Sequence, residues 1–190
     1  MIAREYVRDI TGLLKTFPYK QVETVANMII DARRDGNTIF LFGNGGSAST
    51  ASHFACDLSK GTIIESNDDS EKRIRVVCLS DNIPTMLAYA NDYSYEYIFF
   101  EQLINLVRPR DIVIGFSVSG NSPNVLKAIE YANFKGIRTV GFTGKIGGQL
   151  NLLAKTVIKF NSFDFGKVED LHLMASHIIA RIVKESGKKK

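Results

Sequence analysis

Two short loops contain the residue types best suited to hold an anion. The glycine loop is residues 43–47 (Gly-Asn-Gly-Gly-Ser), and the serine loop is residues 117–122 (Ser-Val-Ser-Gly-Asn-Ser). Each follows an apolar run and precedes a helical pattern. Glycine lets backbone N–H groups turn toward a ligand, serine hydroxyls add donors, and a helix N-terminus carries partial positive charge. Together the loops predict a ligand that bears a phosphate group.

Hydroxyl groups and backbone amides of both loops are the expected phosphate contacts. They belong to Gly45, Gly46, Ser47, Ser117, Val118 (through its backbone N–H alone), Ser119, Gly120 and Ser122. A tight turn that needs small residues would explain the glycines but not the four hydroxyls. Gly43-x-Gly45-x-x-Ala48 also fits a dinucleotide fingerprint, but the acidic residue about 20 positions later, Glu65, precedes the second predicted strand. No lysine follows Gly46 as in a P-loop.

His53 and Asp57 form a second constellation. Their i, i+4 spacing places both side chains on one face of a predicted helix. Imidazole and carboxylate groups suit zinc, whereas the alternative is an exposed helical pair without a metal. Cys56, beside Asp57, is predicted to be a core residue.

Apolar runs alternate with helical patterns along the chain, which predicts a doubly wound parallel sheet of the α/β class. Strands are predicted at 38–42, 75–79, 112–116, 138–143 and 156–160. Helices are predicted at 3–17, 19–34, 48–58, 84–90, 94–107, 123–135 and 168–184, with a short one after 147–148. The polar stretch 65–73 is an expected exposed loop. Ligands of such sheets bind beyond the carboxyl ends of the strands, where both anion loops lie.

Composition restricts the class of protein. The chain has 190 residues, 45% of them hydrophobic, and a net charge of +4. No apolar run approaches the ~20 residues of a membrane helix, and no signal peptide is evident, so we expect a cytoplasmic protein without membrane contact. Two cysteines are too few for a disulfide framework. Three of the positive charges are the terminal lysines 188–190, and we expect no nucleic-acid binding.

Four ordered motifs resemble the sugar isomerase (SIS) domain, and more narrowly the sedoheptulose 7-phosphate isomerases, also called phosphoheptose isomerases. The motifs are Gly43-Asn-Gly-Gly-Ser-Ala, His53-Phe-Ala, Ala90-Asn-Asp-Tyr and Ser117-Val-Ser-Gly-Asn-Ser-Pro-Asn-Val. The similarity covers most of the chain.

This resemblance implies a five-stranded parallel sheet flanked by helices and a homotetramer with intersubunit active sites. It implies that residues 1–190 form one SIS domain, with helices of 1–35 used in oligomer packing and 186–190 as a basic tail. The implied reaction converts sedoheptulose 7-phosphate to D-glycero-D-manno-heptose 7-phosphate through an enediol, for lipopolysaccharide or capsule. SIS proteins that are not enzymes also exist, so the alternative is a sugar-phosphate-binding or replication regulator.

The resemblance also assigns site residues. One Zn²⁺ would be bound by His53, Asp57, Glu169 and His177, with Asp57 as base and His177 as acid. Substrate would contact both loops, including Asn44, together with Asn91, Asp92 and Glu169; turn hydrogen bonds are the alternative role for Asn44 and Asp92. The family has Glu where this chain has Asp57, Gln where it has Glu169, and Thr where it has Val118.

Two of these positions raise geometric questions. Asp57 is shorter than Glu by one methylene, about 1.5 Å, which exceeds the tolerance of about 0.5 Å for catalytic placement. Glu169 and His177 are eight residues apart, roughly 12 Å along a straight helix. Either Glu169 precedes the helix, or the site combines neighbouring subunits, which we favour. His172 is a competing ligand, with a core or surface role as the alternative. Tyr95 is assigned to packing.

Overall fold

Five apolar runs form the strands of one parallel sheet in the computed structural model, which describes residues 1–188. The strands are β1 (Thr38–Gly43), β2 (Arg75–Cys78), β3 (Ile112–Phe116), β4 (Arg138–Thr143) and β5 (Thr156–Lys159). The helices are α1 (Ile2–Leu14), α2 (Tyr19–Asp35), α3 (Gly46–Cys56), α4 (Ile83–Asp92), α5 (Phe100–Leu106), α6 (Pro123–Phe134), α7 (Leu150–Leu153) and α8 (Phe165–Gly187). A π-type turn (Asp57–Gly61) follows α3, and a 3₁₀ turn (Tyr95–Tyr97) precedes α5. The predicted α/β class and the five strands are confirmed.

The strand order β2-β1-β3-β4-β5 makes β1 and β3 neighbours. The chain leaves β1 toward β2 on one side and leaves β3 toward β4 on the other. In the parallel register Gly43 is opposite Phe116, so the two strands end side by side. This is the topological switch point of a doubly wound sheet, where a crevice opens beyond the strand ends. The glycine loop and the serine loop both start there.

Apolar side chains cover both faces of the sheet, which is why the strands read as nearly continuous apolar runs. In β1, Ile39 and Leu41 face a core formed with α2, α3 and α8. Phe40 and Phe42 face the opposite core, formed with α5, α6 and α7. The period-2 alternation of a strand therefore anchors helices on both sides of the switch point.

Helix boundaries differ from the predictions where tertiary contacts or proline intervene. The first helix was expected to reach residue 17 but ends at Leu14, because Pro18 disfavours a helical residue before it. The single helix expected at 94–107 is divided in two, since Ile98 and Phe99 are drawn into the core. The last helix begins three residues early because the Asp164 side chain caps it, accepting a hydrogen bond from the Lys167 amide.

The C-terminal lysines were predicted to form part of a basic tail at 186–190. Residues 186–187 belong instead to α8, and Lys188 donates to Glu185 at 2.8 Å. Lys189 and Lys190 lie outside the described residues. None of the helices in residues 1–188 combines the length and apolar character that crossing a membrane requires.

Helix α1 is held to the rest of the chain by polar contacts and by apolar side chains of its second half. The Tyr6 hydroxyl donates to Asp170 at 2.6 Å, and the Lys167 ammonium lies 2.9 Å from Asp9. The helix has no fully buried residue: Ile10, Leu13 and Leu14 are partly buried against the core, whereas Ile2 and Val7 are largely exposed. Helix α4 likewise has no buried residue. Both helices present apolar surface that this single chain does not cover.

His172 lies on the buried side of α8, enclosed by aromatic rings. The ring centroids of Phe116, Phe142 and Phe160 are 6.1, 5.5 and 5.8 Å from that of His172. The side chain is fully buried, and this desolvation lowers its pKa from 6.5 to about 4. His172 is therefore a neutral core residue, and the prediction that it competes as a metal ligand is wrong.

The burial of His172 predicts a loss of stability in mild acid. Because its folded pKa is about 4 and its unfolded pKa is 6.5, the unfolded chain binds the proton first as the pH falls. The free energy of unfolding should decline between about pH 6.5 and 4, by at most about 3 kcal/mol from this residue. His172→Leu should remove that part of the decline, measured as urea midpoints across the pH range. With all proteins kept metal-free by a chelator, His53→Gln is the control and should retain it; equal slopes for His172→Leu and the native chain would contradict the interpretation.

Candidate functional site

The glycine loop makes a tight turn from β1 into α3. A Cβ atom on Gly43 would come within 2.9 Å of the Ser47 backbone, and Gly45 has a φ of +53°, so both positions require glycine. Helix α3 begins at Gly46, earlier than predicted. Within residues 1–188, the backbone amides of Gly45, Gly46 and Ser47 donate to no protein acceptor. Three amides at a helix N-terminus are thus available to an anion.

The serine loop brings hydroxyl groups together. Ser117 Oγ lies 2.9 Å from Ser122 Oγ and 3.5 Å from Ser119 Oγ. The Gly120 amide donates to Ser117 Oγ at 3.2 Å, and the Asn121 amide donates to Ser119 Oγ at the same distance. Ser122 occupies the expected N-cap position of α6, but its side chain makes no capping bond. The three predicted hydroxyls therefore form one cluster.

A third loop, residues 144–149, packs against the serine loop. Gly120, with a φ of +68°, packs so closely on the Gly147 carbonyl that any side chain would collide with it. The Leu150 amide donates to the Gly120 carbonyl, and the Gly144 amide donates to the Val118 carbonyl, both at 2.9 Å. The Val118 side chain is buried. Because valine has no hydroxyl, position 118 offers a ligand only its backbone N–H group as a donor.

Asn44 joins the glycine loop to the start of α6. Its Nδ2 donates to Asn124 Oδ1 at 2.9 Å, while Asn124 Nδ2 donates to Asn44 Oδ1 at 2.8 Å. The Tyr95 hydroxyl donates to Asn44 Oδ1 at 3.0 Å. The assignment of Tyr95 to packing is therefore wrong. The sequence reasoning missed Asn124, whose only signal is its position two residues after Ser122.

A compact group of titratable side chains lies at the far end of α3. The Nε2 atoms of His53 and His177 are 3.0 Å apart, and Asp57 Oδ2 is 3.5 Å from His53 and 3.6 Å from His177. These ligand atoms lie within 4.8 Å of one another, and both imidazoles are about half exposed. The structure thus unites three of the four predicted metal ligands on the surface where α3 meets α8.

Glu169 lies elsewhere, beside the glycine loop. A Cβ atom on Gly46 would collide with the Glu169 carboxylate. Because Gly46 faces Glu169 and His53 faces His177, α3 and α8 run side by side in the same direction. Glu169 is inside α8, so the alternative that it precedes the helix is wrong. Within this chain it is not one of the three grouped ligands.

Desolvation and the neighbouring Asp170 charge both raise the Glu169 pKa above its ordinary value. The carboxylate therefore takes up a proton more readily than an exposed glutamate would.

The remaining predicted positions are on the surface. Asn91 and Asp92 end α4, both exposed, with Asn91 Nδ2 donating to Asp92 at 2.9 Å. Cys56 is also exposed, so its predicted core role is wrong. A groove of about 520 Å³ follows α3 from Ala48 to Cys56, with His53 in its wall. A second cleft, of about 480 Å³, includes Asp57 and His177. The histidine–aspartate group is thus open to ligand from two sides.

Comparisons with known proteins agree with this architecture. A family model described as the SIS domain matches residues 5–144. A probable phosphoheptose isomerase of Thermoplasma acidophilum is 33% identical over 185 residues, covering 97% of this chain and 99% of that protein. A phosphoheptose isomerase of Aquifex aeolicus is 32% identical over 166 residues, covering 87% of this chain and 84% of that one.

The solved structure of a phosphoheptose isomerase from Neisseria gonorrhoeae is 23% identical and superposes with a TM-score of 0.85, covering 96% of this chain and 94% of that chain. This likeness supports the fold, whereas the more similar sequences identify the family. Because the family model spans most of the chain and the curated relatives align over most of their length, this chain belongs to the SIS-domain family of phosphoheptose isomerases.

Proposed function

We propose that the chain is an aldose–ketose isomerase that interconverts sedoheptulose 7-phosphate and D-glycero-D-manno-heptose 7-phosphate. Relatives named phosphoheptose isomerase support this assignment. The main observation behind this proposal concerns α3. Within residues 1–188, this helix has backbone amides without a protein acceptor at its first turn, and it has His53 beside Asp57 at its other end. Seven residues of helix separate Gly46 from His53 by about 10 Å. One elongated ligand would then place its phosphate at the loops and its carbonyl end at the imidazoles.

Isomerisation moves a proton between adjacent carbons through an enediol. A base removes the C1 proton of the ketose, a proton returns at C2, and an acid exchanges protons with the two oxygens. We assign the base to Asp57 and the acid to His177, which lie 3.6 Å apart. Asp57 starts the π-type turn, a feature frequent at functional sites. This placement is compatible with a shorter carboxylate acting where the family has Glu.

The donor set of His53, Asp57 and His177 fits zinc. Two imidazole nitrogens and one carboxylate oxygen within 4.8 Å match the composition of catalytic zinc sites, which keep a further position open. We propose that these residues hold one Zn²⁺, which when bound supplies Lewis-acid polarisation of a carbonyl oxygen. Glu169 would join this set only across a subunit boundary, whereas its place beside Gly46 lets it contact substrate within its own chain.

A homotetramer with intersubunit active sites is part of the proposal. Its support is the apolar side chains that α1 and α4 leave exposed, such as Val7 and Leu87. We place residues 1–35 in oligomer packing, and Asn91 and Asp92 against substrate. We further propose a cytoplasmic location and a role in supplying heptose for lipopolysaccharide or capsule.

The proton-transfer assignment predicts which variants lose activity. Purified protein should convert sedoheptulose 7-phosphate, and Asp57→Asn and His177→Ala should each reduce kcat by about 10²–10⁴-fold, the usual contribution of a positioned acid or base. Asp69→Asn, in the polar loop, is the matched control and should be fully active. An active Asp57→Asn enzyme would refute the base role. Substrate binding without turnover by the native chain would favour the non-catalytic regulator.

The metal assignment predicts a ligand-specific loss of zinc. Elemental analysis should find Zn²⁺ with the native chain, and a chelator should lower the Tm, because a bound ion stabilises the folded state. His53→Ala should lose the ion, whereas Cys56→Ser, at an exposed neighbour outside the group, should retain it. Full zinc occupancy in His53→Ala would disprove this site.

The serine cluster predicts a loss of phosphate affinity. Ser119→Ala should weaken binding of inorganic phosphate and of sedoheptulose 7-phosphate by roughly ten- to hundredfold, the usual range for one hydrogen bond to a charged group. Calorimetric titration measures the effect, and Ser70→Ala, in the distant polar loop, provides the control. Unchanged affinity in Ser119→Ala would exclude its hydroxyl as a phosphate contact.

A further inference from the structure

Asn44 and Asn124 form a reciprocal amide pair whose orientation is fixed. The Val125 backbone N–H, which can only donate, lies 2.9 Å from Asn124 Oδ1. The other end of the Asn124 amide must then be its Nδ2, which donates to Asn44 Oδ1. Asn44 Nδ2 completes the pair by donating back to Asn124 Oδ1. The ambiguity that usually affects asparagine amides is absent, because one backbone donor decides it.

The hydrogen-bonding capacity of both carbonyl oxygens is filled. Asn44 Oδ1 accepts from Asn124 and from the Tyr95 hydroxyl, and Asn124 Oδ1 accepts from Asn44 and from the Val125 amide. An amide oxygen has two lone pairs, so neither can accept from a ligand hydroxyl without losing a protein contact. Asn124 is also 1% exposed. Asn124 is therefore a structural link, while Asn44 keeps a second Nδ2 hydrogen that can still donate to a ligand.

The Asn44–Asn124 pair joins the glycine loop to the start of α6 beyond the point where β1 and β3 stop pairing. Backbone pairing of β1 with β3 ends at Gly43 opposite Phe116. Beyond this point the glycine loop follows one strand and the serine loop the other. Asn44 is the first residue after β1, and Asn124 lies two residues after Ser122 in the first turn of α6. Tyr95 adds a contact from the segment after α4.

We propose that Asn44 and Asn124, joined by Tyr95, form a clamp that sets the distance between the two anion loops. Asn124 is then a positioning residue for phosphate binding, although it touches no substrate; this inference rests on the proposed function. The clamp holds the amides of the glycine loop and the hydroxyls of the serine loop at one spacing. Rigid donors bind an anion more tightly because the loops lose less freedom on binding.

Amide hydrogen exchange tests the clamp without reference to any ligand. Asn124→Ala should raise exchange at least tenfold at the hydrogen-bonded amides of Gly43 and Ala48, about 80 positions away in sequence, because the glycine loop loses its tie to α6. Asn133→Ala is the matched control. This residue lies at the other end of α6, where its side chain bonds Leu153 and Thr139. It should leave exchange at the Gly43 and Ala48 amides unchanged. Unchanged exchange in Asn124→Ala would overturn the clamp.

Calorimetric titration with inorganic phosphate and with sedoheptulose 7-phosphate tests whether the clamp strengthens phosphate binding. Asn124→Ala and Asn44→Ala should each weaken binding about tenfold, and the double variant should be no weaker than either single variant, since both remove one link. Asn124→Ser retains an acceptor near the Val125 amide but cannot reach Asn44, and it should behave like Asn124→Ala. Additive losses, or native affinity in Asn124→Ser, would refute the proposal. If Asn124 variants do not fold, Asn44→Ala and Tyr95→Phe carry the test, with a smaller loss for the latter.

Binding and turnover measurements on the native chain distinguish a failure of the clamp from a failure of the proposed function. If it neither binds nor converts the sugar phosphate, the proposed function fails, and the exchange experiment still decides whether the clamp exists. If it binds the ligand and the asparagine variants bind equally well, the clamp proposal alone fails.

Discussion

The crevice between the ends of β1 and β3 is the constraint on which the rest of the structure depends. The chain leaves β1 toward α3 on one face of the sheet and leaves β3 toward α6 on the other face, so a gap opens between the two connections. The N-termini of α3 and α6 consequently converge on the same gap. Backbone amides at one edge and the hydroxyls of Ser117, Ser119 and Ser122 at the other follow from that topology. A phosphate site is the natural chemical use of such a gap.

The parallel packing of α3 on α8 decides which side chains serve that gap. The two helices meet at two places about two turns apart. The early pair is Gly46 with Glu169, and the later pair is His53 with His177. The two acidic groups are thereby separated: Glu169 lies partly desolvated beside the loop, while Asp57 lies between two imidazoles. Environments that differ in this way allow two carboxylates to perform different tasks.

Polar links also connect parts of the molecule that contribute no fully buried side chain to the core or lie at its edge. The asparagine pair spans the mouth of the crevice, and the bonds of α1 to α8 through Tyr6 and Lys167 attach a helix without a buried residue. Such bonds stabilise less than burial does, but they are directional and fix relative position. Helices α1 and α4 keep apolar side chains such as Val7 and Leu87 on the surface of the single chain.

The sequence by itself determined the five strands, the two anion loops and the pairing of His53 with Asp57. Each of these depends on local signals: apolar runs, glycine and serine at strand ends, and helical spacing. It was less reliable where burial competes with local preference, as in the divided helix at 94–107. Pro18 and Asp164 mark the end of the first helix and the start of the last helix. Hydrophobic periodicity alone does not detect a proline or a capping side chain.

Only the tertiary structure decided the partners of these residues. It placed His177 against His53 and left Glu169 at the opposite end of α8; it exposed Cys56 and enclosed His172 in phenylalanine rings. It also revealed Asn124, eighty residues from Asn44 in sequence, as its hydrogen-bonding partner. Local spacing specifies which face of an element a side chain occupies. Which other element covers that face depends on how the helices pack around the sheet, and no short stretch of sequence encodes it.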